Sequence, residues 1–230
     1  MTKATYAAAA AGFALTCCVG FSAYAAPWDG VYVGLQVGDA FGDASQPAAT
    51  TIGGPFTSAQ ADADMSALYG GAHLGFDFPI LDQFVAGILA DYNFVDLNGD
   101  DGGTGPDGSD AGVTADVNRL KIDDIITARA RAGWRFSAGS LVYATGGGVW
   151  MNGSATAPAE AISVDFSGYT FGAGLEFAIG EDATFGIEWR RLEVDRERVS
   201  FPVTGYDVGI KPDLDTIQIH LNYYLNSLFE

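Results

Sequence analysis

The stretch Ile126-Thr127-Ala128-Arg129-Ala130-Arg131-Ala132-Gly133-Trp134-Arg135-Phe136 alternates residue by residue: Ile126, Ala128, Ala130, Ala132, Trp134 and Phe136 share one parity, and Thr127, Arg129, Arg131, Gly133 and Arg135 the other. Successive side chains of a strand point to opposite faces, so this is a strand with one apolar side and one side that carries arginines. A helix, with its period of 3.6, would mix the two sets. The fold follows from what these two faces touch.

Working outward, the same period of two returns along the chain. Val31, Val33, Leu35 and Val37 oppose Tyr32, Gly34 and Gln36; Leu68, Ala72, Leu74, Phe76 and Phe78 oppose Tyr69, Gly71, His73, Gly75 and Asp77. Phe84, Ala86, Ile88, Ala90, Tyr92 and Phe94 oppose Val85, Gly87, Leu89, Asp91 and Asn93. Later strands set Tyr169, Phe171, Ala173, Leu175 and Phe177 against Thr170, Gly172, Gly174 and Glu176, then Phe185, Ile187 and Trp189 against Gly186, Glu188 and Arg190, and finally Ile217, Ile219, Leu221, Tyr223 and Leu225 against Gln218, His220, Asn222 and Tyr224. Leu141 to Met151 is strand-like, but its facing is ambiguous. Counting the quoted stretch, eight strands result, the number of a small closed barrel. Short turns are expected at Pro79 to Gln83, Ser137 to Ser140 and Ile179 to Ala183, and long polar loops over about Asp43 to Met65, Asp96 to Asn118, Asn152 to Ala161 and Val194 to Asp213. Short connections at one end and long ones at the other are the habit of outer-membrane barrels, with tight periplasmic turns and longer extracellular loops.

Composition decides which face meets which medium. The 230 residues are 48% hydrophobic and 17% charged, with 31 Gly and a net charge of -18. Such a chain is too apolar to be disordered, and its acidity would repel phosphate backbones, which excludes nucleic acid as a partner. A soluble barrel would carry a lysine-rich and threonine-rich outer surface, yet beyond Lys3 the lysines are only Lys121 and Lys211. The apolar face is therefore the lipid face, and the face of Gly, Arg, Asp and Glu lines the interior. Aromatic girdles are expected from Trp28, Phe78, Phe84, Trp134, Phe136, Phe177 and Phe185 on the periplasmic side and from Tyr92, Phe94, Tyr169 and Trp189 on the other. The fold class is thus all-β, an eight-stranded antiparallel transmembrane β-barrel with long extracellular loops and short periplasmic turns.

Residues 1–25 read as a signal peptide and residues 26–230 as the barrel. Lys3 precedes an uncharged stretch from Ala4 to Ala26, apolar from Tyr6 to Phe21, and Ala23-Tyr24-Ala25 has the small-residue form of a cleavage site. Both cysteines, Cys17 and Cys18, lie in this segment, so the exported chain has neither disulfide nor thiolate metal site. Neither cysteine has the flanking residues of a lipidation site.

Several motifs resemble one family. Trp28-Asp29-Gly30-Val31-Tyr32-Val33-Gly34, Thr127 to Trp134, Leu141-Val142-Tyr143-Ala144-Thr145-Gly146-Gly147, Gly168 to Phe177 and the closing Leu221-Asn222-Tyr223 resemble, in that order, strand motifs of the outer-membrane immunogenic proteins, a porin-like group of Gram-negative bacteria. The resemblance is confined to strands and implies an eight-stranded surface barrel of the outer membrane. The chain departs from the family at its end, where Phe229 keeps the outward parity but Glu230 follows it.

Inside the barrel, Asp77, Asp91, Glu176 and Glu188 are expected to face Arg129, Arg131, Arg135 and Arg190 as a matched charge network, because buried charge must be paired. His73 and His220 read as polar fill, since a metal site wants clustered ligands. The loop residues Asp96, Asp100, Asp101, Asp107 and Asp110 form a candidate weak cation site, although Asp101 stands where a calcium loop needs Gly. No cofactor, structural metal or catalytic constellation is expected. The function expected is that of a monomeric surface protein with a structural and recognition role, its lumen filled by charged side chains. Its partners would be outer-membrane lipid, lipopolysaccharide and the barrel-assembly machinery. The alternative is a narrow porin or a surface binder of a small ligand such as hemin or divalent cations.

Overall fold

The computed structural model describes residues 28–49, 56–99, 119–157, 160–203 and 206–225, and the candidate signal peptide lies outside them. Alternating apolar, β-branched and aromatic residues, with no Pro inside the membrane-crossing cores, make every described element a strand. These are β1 (Gly30–Ala49), β2 (Phe56–Leu81), β3 (Phe84–Gly99), β4 (Arg119–Ser137), β5 (Ser140–Ala157), β6 (Glu160–Ala178), β7 (Ala183–Val194), β8 (Glu197–Phe201) and β9 (Tyr206–Tyr224). All pairings are antiparallel between chain neighbours up to β7, and β1 pairs with β9 from Tyr32↔Tyr224 to Ala49↔Asp207, which closes the sheet. β7 lies against Asp213 to Tyr223 of β9 and β8 against Tyr206 to Ile210, so β7 and β8 are one stave broken at Asp195-Arg196. The closed barrel therefore has eight staves.

One end is tight: Asp82-Gln83 and Ala138-Gly139 are two-residue turns, and residues 179–182 form the third. The other end differs from the expected long loops. β1 continues to Ala49, β2 starts at Phe56, β5 and β6 run to Ala157 and from Glu160, and β8 with the start of β9 occupies much of the segment read as a loop after Val194. Crossing the membrane takes about 9 to 11 tilted residues, whereas β2 has 26 and six other strands have 16 or more. The staves consequently rise well past the bilayer on the loop side as an extended barrel.

Facing follows the arginine parity of the quoted stretch. Ala128, Ala130, Ala132, Trp134 and Phe136 are exposed on the outside, and Thr127, Arg129, Arg131 and Gly133 are buried inside. β5, ambiguous in sequence, points Leu141, Tyr143, Thr145, Val149 and Met151 inward and Val142, Ala144, Gly146 and Trp150 outward. Two girdle assignments are corrected. Trp28 is 1% exposed and sits in the interior, reached because Gly30 takes a φ of 98° that turns the chain into β1, and Phe177 is buried.

The interior changes character along its axis. Aromatic and apolar side chains close the turn end, and from there to mid-height the interior carries the polar and charged residues. On the loop side it is a continuous apolar core that includes Met65, Leu97, Leu120, Ile122, Val149, Phe166, Leu192, Phe201, Ile210 and Leu214. In β4 a register shift between Ile122 and Asp124 makes this possible: Ile122 and Ile125 both point inward, and Asp123 and Asp124 lie on the outer side between them. This is the re-aiming that a β-bulge produces.

Candidate functional site

The polar lumen forms where adjacent staves aim their inward residues at one another. Among the described residues it holds the carboxylates Asp77, Asp91, Glu176 and Glu188 and the guanidinium groups of Arg129, Arg131 and Arg190. They sort into two clusters.

At mid-height, Arg129 of β4 bridges Asp91 of β3, with Nη2 to Oδ2 at 2.9 Å, and Glu188 of β7. Arg190, two residues along β7, donates from Nη1 to Asp91 Oδ1 at 3.2 Å and from Nη2 to Gln218 Oε1 at 2.6 Å and Tyr69 Oη at 3.1 Å. Thr127 Oγ1 and Asn93 Nδ2 each donate to Asp91 at 2.5 Å, and Tyr143 Oη donates to Glu188 Oε2 at 2.9 Å. Asp91 thus accepts from side chains of three staves. Ions taken out of water need this kind of surround, since their mutual attraction alone barely offsets desolvation.

Toward the turn end, Arg131 Nη2 lies 2.9 Å from Glu176 Oε2 and 3.6 Å from Asp77 Oδ2. Glu176 Oε1 also accepts from Trp28 Nε1 at 2.9 Å and Thr184 Oγ1 at 2.7 Å, and Asp77 Oδ2 from Tyr224 Oη at 2.7 Å. The Arg131 guanidinium carbon stands 4.4 Å from the Tyr143 ring centroid and 6.0 Å from that of Tyr32, within cation–π range. The Tyr32 ring in turn lies over Gly75, where an added Cβ would fall 2.2 Å from it, so a larger residue there would displace the ring. Trp28, Tyr32, Tyr143, Tyr224, Val85 and Leu141 together fill the turn-end mouth.

The histidines lie between the clusters. His73 is within hydrogen-bonding distance of Gln36 Oε1, 3.0 Å from Nδ1, and of Asn222 Oδ1, 2.6 Å from Nε2; His220 Nε2 is 3.6 Å from Glu176 Oε2. A cavity of about 10 Å3, lined among others by Tyr32, His73, Arg131, Glu188 and His220, remains beside them. That is about the room one water needs.

Arg135 is the correction to the expected network. It shares the parity of Arg129 and Arg131 but is only half-buried and donates from Nη2 to the Asp82 carbonyl oxygen. At that height the barrel ends in the Asp82-Gln83 turn and aromatic side chains fill the mouth, so the guanidinium reaches a backbone oxygen at the rim. Of the candidate cation loop, Asp96 is described: its side chain is 75% exposed and 3.5 Å from Lys121 Nζ, while Asp100, Asp101, Asp107 and Asp110 lie outside the described residues. No cluster of three His, Cys, Asp or Glu able to hold a metal occurs among the described residues. The neutral partners not singled out from sequence as part of the network are Tyr69, Asn93, Thr127, Tyr143, Gln218 and Tyr224, all on the inward parity of their strands, and Trp28, which had been expected in the girdle, joins them from ahead of the first strand.

Comparison with known proteins agrees with this architecture. Residues 9–224 match the family model of the outer membrane protein beta-barrel domain. The chain is 24% identical over 208 residues to a 31 kDa outer-membrane immunogenic protein of Brucella melitensis, covering 85% of this chain and 83% of that protein. Among solved structures it is similar to the attachment invasion locus protein Ail of Yersinia pestis, at 12% identity, TM-score 0.38 and coverage of 83% and 99%. It is also similar to the outer membrane protease OmpT of Escherichia coli, at 10% identity, TM-score 0.48 and coverage of 86% and 97%. With lipid-facing apolar staves, a polar interior, and a family match that runs from residue 9 to residue 224, the chain belongs to the outer membrane protein beta-barrel domain family and is an outer-membrane protein.

Proposed function

We propose that this outer-membrane barrel is a non-conducting surface protein, without enzymatic activity, whose work is envelope integrity and recognition through its loop-end extension. The observation that carries this reading is the stacked interior: two hydrogen-bonded charge clusters, a cavity of only about 10 Å3 beside the histidines, and an apolar core above them. An eight-stranded interior is about filled by its own side chains, and a hydrated ion finds neither width nor a continuous polar path. In this reading the chain is exported through residues 1–25, is inserted by the barrel-assembly machinery, stands as a monomer among lipopolysaccharide, and binds no cofactor or nucleic acid. Planar-bilayer recording tests the lumen: the reconstituted protein should give no stable ohmic channel, and reproducible conductance whose ion selectivity changes with Arg129 would overturn the proposal. N-terminal sequencing of the outer-membrane form tests export, with a first residue of Ala26 or Pro27 expected.

A further inference from the structure

Trp28 stands outside the sheet but inside the barrel. The pairing of β1 begins at Gly30 with Asp77 on β2 and at Tyr32 with Tyr224 on β9, so no ladder position holds Trp28. Asp29 is exposed at the lip, and the left-handed φ of 98° at Gly30, which costs a glycine little, folds the indole back into the lumen. There Trp28 is fully buried and its Nε1 donates to Glu176 on β6, with the β7 and β9 staves between it and β1. The side chains beneath are seated in part by the same opening motif. Tyr32 lies on one side of the Arg131 guanidinium and Tyr143 on the other, and Gly34 leaves room for His73, since an added Cβ there would fall 2.1 Å from the His73 Nε2. Trp28, together with Val85 and Leu141, covers this level from the turn end.

We propose that Trp28 is a detachable stopper, a seal on the periplasmic mouth that opens and closes without separating the staves and so decides whether water reaches the Arg131–Glu176 pair. Its attachment is local: packing in the mouth and the bond to Glu176, in place of a ladder. Glu176 does not depend on it. With the indole withdrawn, Oε1 still accepts from Thr184 Oγ1 at 2.7 Å and Oε2 still lies 2.9 Å from Arg131 Nη2. Below the stopper, Asp77 Oδ1 and His220 Nδ1 are buried with no hydrogen-bond partner among the described residues. Buried polar atoms of this kind are costly, so water entering an open mouth offsets part of the cost of exposing the indole. Opening the mouth makes no pore, because the apolar core closes the loop side. The barrel is thus shut by two different means, a fixed core above and one movable side chain below.

Thiol labelling of the full mature barrel in detergent tests this, with one cysteine replacing either Val85 in the mouth or Met151 in the loop-side core and a small charged methanethiosulfonate as the probe. The chain without an introduced cysteine gives the background. Val85→Cys should react slowly. Adding Trp28→Ala should speed its reaction about tenfold or more, the ratio that corresponds to about 1.4 kcal/mol of lost closure. Adding Gly30→Ala, which strains the bend that aims the indole, should act in the same direction. Met151→Cys should stay protected when combined with Trp28→Ala, and heat-modifiable gel mobility should show that the barrel remains closed. Labelling of Val85→Cys as slow in folded Trp28→Ala as with Trp28 present overturns the proposal. So does faster labelling of Met151→Cys, or a Trp28→Ala chain that does not fold, since either result makes Trp28 a part of the fold and not a stopper.

Discussion

The two halves of this barrel solve opposite problems with one continuous sheet. In the membrane half, Ile187 and Trp189 of β7 point out and Glu188 and Arg190 point in; four residues further on, Leu192 and Val194 point in and Arg191 and Glu193 point out. β9 does the same, with Ile217, Ile219 and Leu221 outside but Val208, Ile210 and Leu214 inside, and β6 turns from inward Phe166 to outward Tyr169 and Phe171. The strand geometry is unchanged, so the inversion comes from the medium. Below, hydrocarbon surrounds the barrel and the outside must be apolar; above, water surrounds it and the hydrophobic effect drives apolar side chains inward, as in a soluble protein. Ion pairs on the outer side, such as Arg191 Nη1 to Asp215 Oδ2 at 2.8 Å, mark the upper half's wet surface.

Breaking the lower interior should have the largest effect. Arg129→Ala leaves Asp91 and Glu188 short of a partner, and removing one member of a buried pair costs about 3 to 5 kcal/mol, less if water enters; the urea midpoint in detergent should fall accordingly. The inversion itself is read by placing one substitution on the outer face of both halves. Ala130→Arg, in the membrane, should cost about 2 to 4 kcal/mol if near the midplane, whereas Ala161→Arg, outward on the upper part of β6, should stay within about 0.5 kcal/mol. Equal costs at the two sites would place the water boundary elsewhere. Ile210→Val in the upper core should cost about 0.5 to 1.5 kcal/mol, and amide exchange should rise first in the loop-side staves while the membrane rows stay protected. The smallest effect belongs to Arg135→Ala, within about 0.5 kcal/mol, since this guanidinium lies at the rim.

The same inversion explains what could be read from the chain. Where lipid lies outside, apolar parity announces the staves: β3, β4 and β7 were legible over most of their length, as were the membrane-crossing parts of β6 and β9 from Tyr169 and Ile217 onward, but not the upper parts of those two strands, which start at Glu160 and Tyr206. Above the membrane the apolar set shifts to the other parity and is interspersed with Asp, Glu and Gly, so segments such as Ile162, Val164 and Phe166 or Val199 and Phe201 look like polar loops unless the phase change is allowed for. β5 was ambiguous because its inward Leu141, Val149 and Met151 face apolar fill at the two ends of the interior.

The sequence by itself determined the all-β class, the number of staves, the lipid face and the parity of the eight charged residues named for the lumen, seven of which are buried there, because each follows from a local period of two and from the composition of the face. Only the tertiary structure decided which charges meet, how far the staves extend and where Arg135 and Trp28 end up. Ion-pair partners lie on different staves, so register and closure across the barrel select them: Arg190 reaches Asp91 from β7 to β3, and Trp28 reaches Glu176 from the far end of the chain. A residue's parity gives its face, but its height in a closed barrel is set by the neighbours it pairs with.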